Sequence, residues 1–276
     1  MIYKLVQDEY ERVRSVFGGL RYNLVIDSVI DGNTPAWVVV DDVSCPRAAL
    51  MWNRQDALLL AGYDGNDAFN HAVDELITDK VIPDASRRYI PQLSLHYFPQ
   101  TWESKVDVIL RDKRPEKAQR RCYALDRLKV DWREQTRPGY EMRRMDQALL
   151  ASDHLANVEQ VVGWVRSFWR SNHDFEKTGF GFCLLHGATI VSWCLSVYVS
   201  AKNFELGLAT APAYRKRGFA TLTAAACVEH CSANNLTPHW HCWDDNLPSI
   251  AVAENVGFKK RMDYAVYRFE LTNLTI

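Results

Sequence analysis

A strand that runs through a glycine turn straight into a helix restricts what the surrounding chain can fold into, and residues Glu205–Thr221 have that form. They read Glu-Leu-Gly-Leu-Ala-Thr-Ala-Pro-Ala-Tyr-Arg-Lys-Arg-Gly-Phe-Ala-Thr. The first part is an apolar run of strand type. It breaks at Pro212, turns through Arg215, Lys216 and Arg217, and enters a helix of small residues at Gly218. The free N–H groups of a first helical turn point outward, and the helix dipole adds partial positive charge. Three basic side chains add full charges at the same place. Such a turn suits a pyrophosphate. Its plainer reading is a capped helix with a solvated basic turn.

The rest of the composition sets the frame. The 276 residues suffice for one large domain or two of ordinary size, and the 47% hydrophobic content with nine tryptophans argues for packed cores. A formal net charge of −1 gives no global pull towards nucleic acid or an anionic membrane. No apolar run approaches the ~18 residues of a membrane span, and Met1–Tyr10 carries no signal-peptide pattern. The seven cysteines lack tight spacing, which favours reduced thiols. The expectation is a cytoplasmic protein that engages neither membrane nor nucleic acid.

Along the chain, helices are expected over 8–20 and 22–30, then strands over 36–40, 47–53 and 57–62. A helix starts at Gly65-Asn66-Asp67, a strand covers 92–98, another helix begins near Thr101, and a strand covers 120–128. Residues 129–144 read as a basic linker running into a strand. The order then repeats: helix 154–169, a polar loop over 171–178, strands 180–186 and 190–200, the strand and helix of the opening stretch, strand 238–243, helix 248–255 and strand 262–271. The pattern predicts an α/β fold of mixed sheet, with an N-terminal α/β domain over 1–130 and a second domain over 131–276. The shared element order suggests that the first is a degenerate copy of the second. Tyr63-Asp64-Gly65-Asn66-Asp67 stands where the second half has its basic turn, and its two acids would repel a pyrophosphate.

Arg215-Lys216-Arg217-Gly218-Phe219-Ala220 satisfies the Arg/Gln-x-x-Gly-x-Gly/Ala signature of the GNAT superfamily of acyl-CoA-dependent N-acetyltransferases. Asn246-Leu-Pro-Ser249 and Ala253-Glu-Asn-Val-Gly257-Phe258 resemble that superfamily's last block. The resemblance covers about residues 140–271. Ser192-Trp193-Cys194-Leu195-Ser196 and Thr237-Pro-His-Trp-His-Cys-Trp243 further resemble a subgroup that includes zwittermicin-resistance acetyltransferases, which act on an aminopolyol antibiotic.

The resemblance implies that acetyl-CoA, as acetyl donor, lies along the strand carrying Leu208, Ala209 and Thr210, paired to their backbone. The N–H groups of Arg215, Lys216, Arg217, Gly218, Phe219, Ala220 and Thr221 would then hold the pyrophosphate, with Asn246 and Ser249 completing the cofactor contacts. The acceptor is the primary amine of a small molecule, an aminopolyol or amino sugar in the named subgroup. An alkylamine has a pKa of about 10.4, so a base must remove its proton before it can attack a thioester. Glu205 is the candidate, with a salt-bridged strand glutamate as the structural alternative. Asp174 and Glu176 are the next candidates, as bases or as binders of a cationic acceptor. A strand N–H near Leu208 or Ala209 could serve the tetrahedral oxygen. The family's thiolate-protonating tyrosine corresponds to Ala253 here, which leaves the general acid open.

Other readings compete. His230, Cys231, His239, His241 and Cys242 invite a zinc site, but they lack metal-ligand spacing and are expected to be packing residues, with no metal. The basic stretch 111–144 reads as a solvated connector. Phe168, Trp169 and Phe175 could shape an acceptor pocket together with the N-terminal half. The rival function is a non-catalytic acyl-CoA-binding sensor.

Overall fold

The structure is a computed structural model that describes residues 1–271. The chain forms two compact units: Met1–Gln119 together with the chain from Ala265 onward, and Arg120–Tyr264. Among the described residues no helix is long and apolar enough to cross a membrane.

In the first unit the chain lays down β1 (Tyr3–Lys4), α1 (Leu24–Ile30), β2 (Trp37–Val40), β3 (Ala48–Trp52) and β4 (Ala57–Gly62). It continues with α2 (Asp67–Leu76), a π-helical turn (Ile77–Val81), α3 (Ile82–Arg87), β5 (Gln92–Phe98) and α4 (Val106–Ile109). The strands lie in the order β1-β2-β3-β4-β5, antiparallel except for the parallel β4/β5 pair. Both faces are covered, so β3 and β4 read as unbroken apolar runs rather than alternating ones. Leu50, Trp52, Leu58, Leu60, Phe69, Val73 and Trp102 form the centre of this core.

The second unit follows with β6 (Glu116–Leu125), α5 (Trp132–Gln135), β7 (Tyr140–Arg144), α6 (Gln147–Leu150), α7 (Val158–Phe168) and α8 (Asn172–Thr178). Then come β8 (Gly181–His186), β9 (Thr189–Ser200), β10 (Asn203–Thr210), α9 (Phe219–Ala233), β11 (Thr237–Trp243), α10 (Leu247–Val256) and β12 (Phe258–Glu270). Its strands run β7-β8-β9-β10-β11-β6, antiparallel except for the parallel β10/β11 pair. This is the order of the first unit, strand for strand.

The strand that closes each sheet reaches it from a distant part of the chain. In the first unit β5 pairs antiparallel with Tyr267–Glu270 of β12, the last described strand. In the second, β11 pairs antiparallel with Arg120–Ala124 of β6, laid down before the rest of that unit. The observed division therefore differs from the expected 1–130 and 131–276 at two places. β6 belongs with the sheet that follows it, and the end of β12 belongs with the sheet formed first. The last positions of the expected second domain, 272–276, lie outside the described residues.

Local differences have local causes. The apolar spacing over 8–20 is met by 3-10 turns, Gln7–Val13 and Gly18–Leu20, rather than one α-helix. Tyr10, Val13, Phe17 and Leu20 are buried all the same. The helix expected over 154–169 starts at Val158, because Asn157 takes a left-handed conformation and its side chain donates to Ile190 O at 2.8 Å. The polar loop expected over 171–178 is helix α8, capped by Ser171, whose hydroxyl accepts from Asp174 N at 3.0 Å.

Candidate active site

The site is built where β10 passes into α9. The residues of α9 that lie on the sheet are small, Ala224, Ala225, Cys227, Val228 and Cys231, and all are buried. Cys227 Sγ comes within 3.3 Å of Cys194 O on β9. Small side chains seat the helix close to the sheet, and its N-terminus falls at the C-terminal end of β10. Ala211 N donates to Val191 O at 2.9 Å, and Pro212–Tyr214 make one 3-10 turn before the basic residues.

Lys216 has φ 61° and Gly218 φ 83°, so the chain makes two left-handed steps that turn consecutive N–H groups towards one side. The backbone N–H groups of Lys216, Arg217, Gly218, Phe219 and Ala220 donate to no protein group among the described residues. Arg215 N donates to Pro212 O and Thr221 N to Gly218 O, so these two ends of the expected cradle are engaged in the turn itself. A Cβ added at Gly218 would meet nothing within 4 Å; it would enter the open space in front of the cradle, in a strained conformation. Phe219 turns its ring into the core against Tyr140, with ring centroids 4.7 Å apart, and leaves only its amide at the surface. Arg215, Lys216 and Arg217 are exposed, with Arg217 lying 5.2 Å from the Tyr214 ring.

A cavity of about 540 Å³ opens beside this turn, lined by Arg217, Gly218, Phe219, Thr221, Leu222, Val130, Gln135, Arg137 and Asn255. Arg137 and Gln135 come from the stretch expected to be a connector. Two ties hold that stretch against α9: Trp132 Nε1 donates to Glu229 Oε2 at 3.0 Å, and Arg133 pairs with Glu229 Oε1 at 2.6 Å. A larger hollow of about 790 Å³ along α6 and α7 includes neither the turn nor Glu205.

Upstream of the turn, the two parallel strands part. Asn203, Phe204 and Glu205 pair with Thr237, Pro238 and His239, and there the ladder ends. β10 continues to Thr210 and β11 to Trp243, each still paired on its other side. Gly207, Leu208, Ala209 and Thr210 are consequently half-exposed although they sit on an interior strand. Their backbone groups on the open side need water or a ligand. Ser192 steadies this stretch from β9, its hydroxyl donating to Ala209 O at 3.1 Å and lying 2.9 Å from Thr210 Oγ1. In the first unit the equivalent parallel pair stays together from Ala57 to Ala61, within one residue of the end of β4, and no such opening exists. There the N-terminus of α2 is closed by its own side chains. Asn66 Oδ1 accepts from Phe69 N at 3.1 Å, and the Tyr63 ring covers Gly65.

Glu205 sits at the apex of the opening, 7% exposed, beside a register shift between β9 and β10. Burial, and then the charge of Glu205, push the Cys122 thiol up to about 11. Cys122 faces His241 across the β6/β11 ladder, so Glu205, Cys122 and His241 share one side of the sheet. His239, on the same side, keeps Nε2 at 2.9 Å from Asn203 Oδ1, and burial lowers its pKa.

The remaining expected site residues have structural work. Asn246 caps α10, its Oδ1 accepting from Ser249 N at 3.2 Å, and Ser249 Oγ accepts from Trp240 Nε1 at 3.2 Å. Asp174 Oδ2 accepts from Ser171 Oγ, and Glu176 is an exposed helical residue. Trp169 and Phe175 are core residues, packed edge to face at 5.6 Å, so of the three expected pocket aromatics only Phe168 stays half-exposed. Ala253 is fully buried. Among the described residues no group of three or more His, Cys, Asp or Glu could hold a metal ion; His230 of the suspected cluster packs against Phe180, the rings tilted at 47° with centroids 4.6 Å apart.

Two parallel strands that part, with an amide cradle at a helix N-terminus at the end of one of them, make a slot suited to an extended ligand that carries an anionic group. The sequence model of the GNAT acetyltransferase family matches residues 14–267, and the chain belongs to that family. It is 25% identical over 267 residues, 97% of its own length and 98% of the relative's, to the uncharacterized N-acetyltransferase YdfB of Bacillus subtilis (strain 168). A GCN5-related N-acetyltransferase-like protein from Streptococcus suis 89/1591 superposes with a TM-score of 0.69 at 20% identity, covering 95% of this chain and 98% of that one. A tandem GNAT protein from the clavulanic acid biosynthesis pathway superposes with a TM-score of 0.57 at 11% identity, covering 98% of both chains. These two likenesses are of fold.

Proposed function

We propose that this chain moves the acetyl group of acetyl-CoA onto the primary amine of a small molecule by direct attack, at the opening between β10 and β11. The observation that carries this reading is the end of the β10/β11 ladder at Glu205 and His239, with the amide cradle at the far end of the same strand. The pantetheine arm takes the place of the missing strand beside Leu208, Ala209 and Thr210. The pyrophosphate rests on the N–H groups of Lys216 to Ala220, with Arg217 and Arg137 adding charge. Glu205 removes a proton from the ammonium form of the acceptor, which then attacks the thioester carbonyl. The N–H of Leu208 or Ala209 supports the developing oxyanion.

For the acceptor we propose an aminopolyol or amino sugar, as in zwittermicin-resistance enzymes, on the strength of the Ser192–Ser196 and Thr237–Trp243 segments. Antibiotic modification would follow from that chemistry. The first unit we read as a degenerate copy. Its strand order repeats that of the second unit, while its closed β4/β5 pair and its acidic, self-capped helix start leave no place for a pyrophosphate.

One observation favours a different function, an acyl-CoA sensor without turnover: Ala253 is buried where the family places its acid. Thiol release from acetyl-CoA over a panel of amines, including aminopolyols and amino sugars, separates the two. Transfer predicts amine-dependent release that falls about 10²- to 10⁴-fold in Glu205→Gln with CoA binding retained. Tight CoA binding with no turnover on any amine, and no effect of Glu205→Gln, establishes the sensor instead.

A further inference from the structure

Strand β10 has two faces at the opening, and the one away from α9 is bordered by aromatic rings. Ser192, facing α9, lies 3.4 Å from Thr223 Oγ1. On the other face Glu205, Gly207 and Ala209 alternate along β10, and their partners on β9 are Tyr198, Leu195 and Trp193. The extra residue at the register shift, Val197, belongs to β9, so the alternation of β10 runs on unbroken. Helix α7 covers this face. Its Phe168 ring meets Tyr198 edge to face at 5.6 Å, and its Trp164 ring meets Trp193 edge to face at 6.2 Å. The two α7 rings, one helical turn apart, have centroids 6.1 Å from each other.

Gly207 brings the indole to the opening itself. A Cβ there would stand 2.6 Å from Val197 Cγ1 and 3.2 Å from Trp164 Cζ3, so the bare backbone is what lets Trp164 approach β10 this closely. Helix α7 is pinned across β9 at both ends: Asn157 Nδ2 donates to Ile190 O at 2.8 Å, and Trp169 Nε1 donates to Ser196 O at 2.9 Å. The rings between these pins are therefore held in place before any ligand arrives. Nor are they spent on the core. Trp169 and Phe175 are 3% and 0% exposed, whereas Trp164, Phe168 and Gly207 all stay half-exposed. An accessible indole face attracts a cation through its quadrupole, and more strongly where neighbouring rings thin the water.

We propose that Trp164, with Phe168 beside it, is the specificity-determining surface for the acceptor, whose alkylammonium group rests on these rings by cation–π contact. This rests on the acetyl-transfer reading above. An amine arrives protonated, and the rings hold that form on the face of β10 that also carries Glu205. A hydroxyl of the same shape carries no charge and gains little from the rings. In a molecule with many hydroxyls and few amines, the wall therefore brings nitrogen rather than oxygen to the thioester. Trp193, behind the Trp164 ring, and the two pins of α7 are positioning residues.

Choline and its uncharged isostere dimethylbutanol, in which carbon replaces the quaternary nitrogen, separate charge from shape without any turnover. Their affinities for the full-length, CoA-loaded protein can be measured by saturation-transfer NMR titration, with CoA binding followed in parallel by calorimetry. The unaltered protein should prefer choline. In Trp164→Leu that preference should shrink about three- to thirtyfold, the range of one cation–π contact, with CoA affinity and thermal midpoint unchanged. Trp164→Phe, which keeps a ring, should retain most of the preference. Gly207→Ala should reduce it with every ring still present, because the new methyl group pushes Trp164 or Val197 away. CoA binding with the same choline preference in the unaltered protein and Trp164→Leu, or with no choline binding in either, overturns the role of Trp164 and leaves the transfer reading standing. No CoA binding at all overturns both.

Discussion

In the proposed transfer Glu205 and Gly218 serve for opposite reasons, one because it is a buried carboxyl group and the other because it has no side chain. The carboxylate at the apex is 7% exposed and borders the opening, where a cationic acceptor would replace part of the hydration it lost on burial. The glycine keeps open the space in front of five free amides. Arg137 extends the site beyond the residues that the signature names. Its charge beside Arg217 should favour a phosphate by about 1 kcal/mol, the scale of a solvent-exposed pair. Arg137→Ala should weaken CoA binding about three- to tenfold, and raised salt should shrink the difference, as calorimetry at two ionic strengths can check. Equal affinity in low salt would remove Arg137 from the site. The basic stretch held no spacing that marks a phosphate contact, so only its attachment to α9 through Trp132, Arg133 and Glu229 brings Arg137 beside the turn.

At the scale of elements, the strand–turn–helix unit was legible because glycine, proline and small residues leave few alternatives there. The parting of β10 from β11 was not. Pairing along a parallel strand depends on its neighbour, and nothing in Leu206–Thr210 states that the neighbour has left. α8 was mistaken for a loop because its polar face outweighs its one buried residue, Phe175.

The last rung before the opening also carries a pH dependence. Burial holds the pKa of His239 below its unfolded value of about 6.5, so protons bind the unfolded chain more strongly. The stability this neutral histidine contributes is present above pH 6.5 and is lost as pH falls below it. His230, also lowered by burial and then by Arg144, acts in the same direction. The thermal midpoint should stay level from pH 8 to 7 and fall towards pH 5, and His239→Gln should flatten part of that fall. An identical slope in the variant would mean that His239 titrates alike in both states.

For the molecule as a whole, each sheet depends on a strand from the other end of the chain order. The repeat of elements was readable in sequence; the exchange of closing strands was not, because it leaves every element in its expected place and changes only the pairing. It bears directly on dissection of the chain. A fragment 131–276 lacks β6 and exposes β11 as an edge carrying Trp240 and Cys242, a template for association. A fragment 120–264 keeps that strand. Expressed side by side, 120–264 should be the more soluble and the more cooperative in thermal unfolding. Better behaviour of 131–276 would show that the β6/β11 pairing contributes little.

Of the two repeated sheets, we propose that the one that opens holds acyl-CoA. Titration calorimetry of CoA into the full chain tests it most directly, with Gly218→Val as the comparison. One site per chain is expected, with at least tenfold weaker binding in Gly218→Val, where a branched side chain would stand in front of the amides at a left-handed backbone position. Two sites per chain, or undiminished affinity in Gly218→Val in a protein that unfolds at the same temperature, would contradict it.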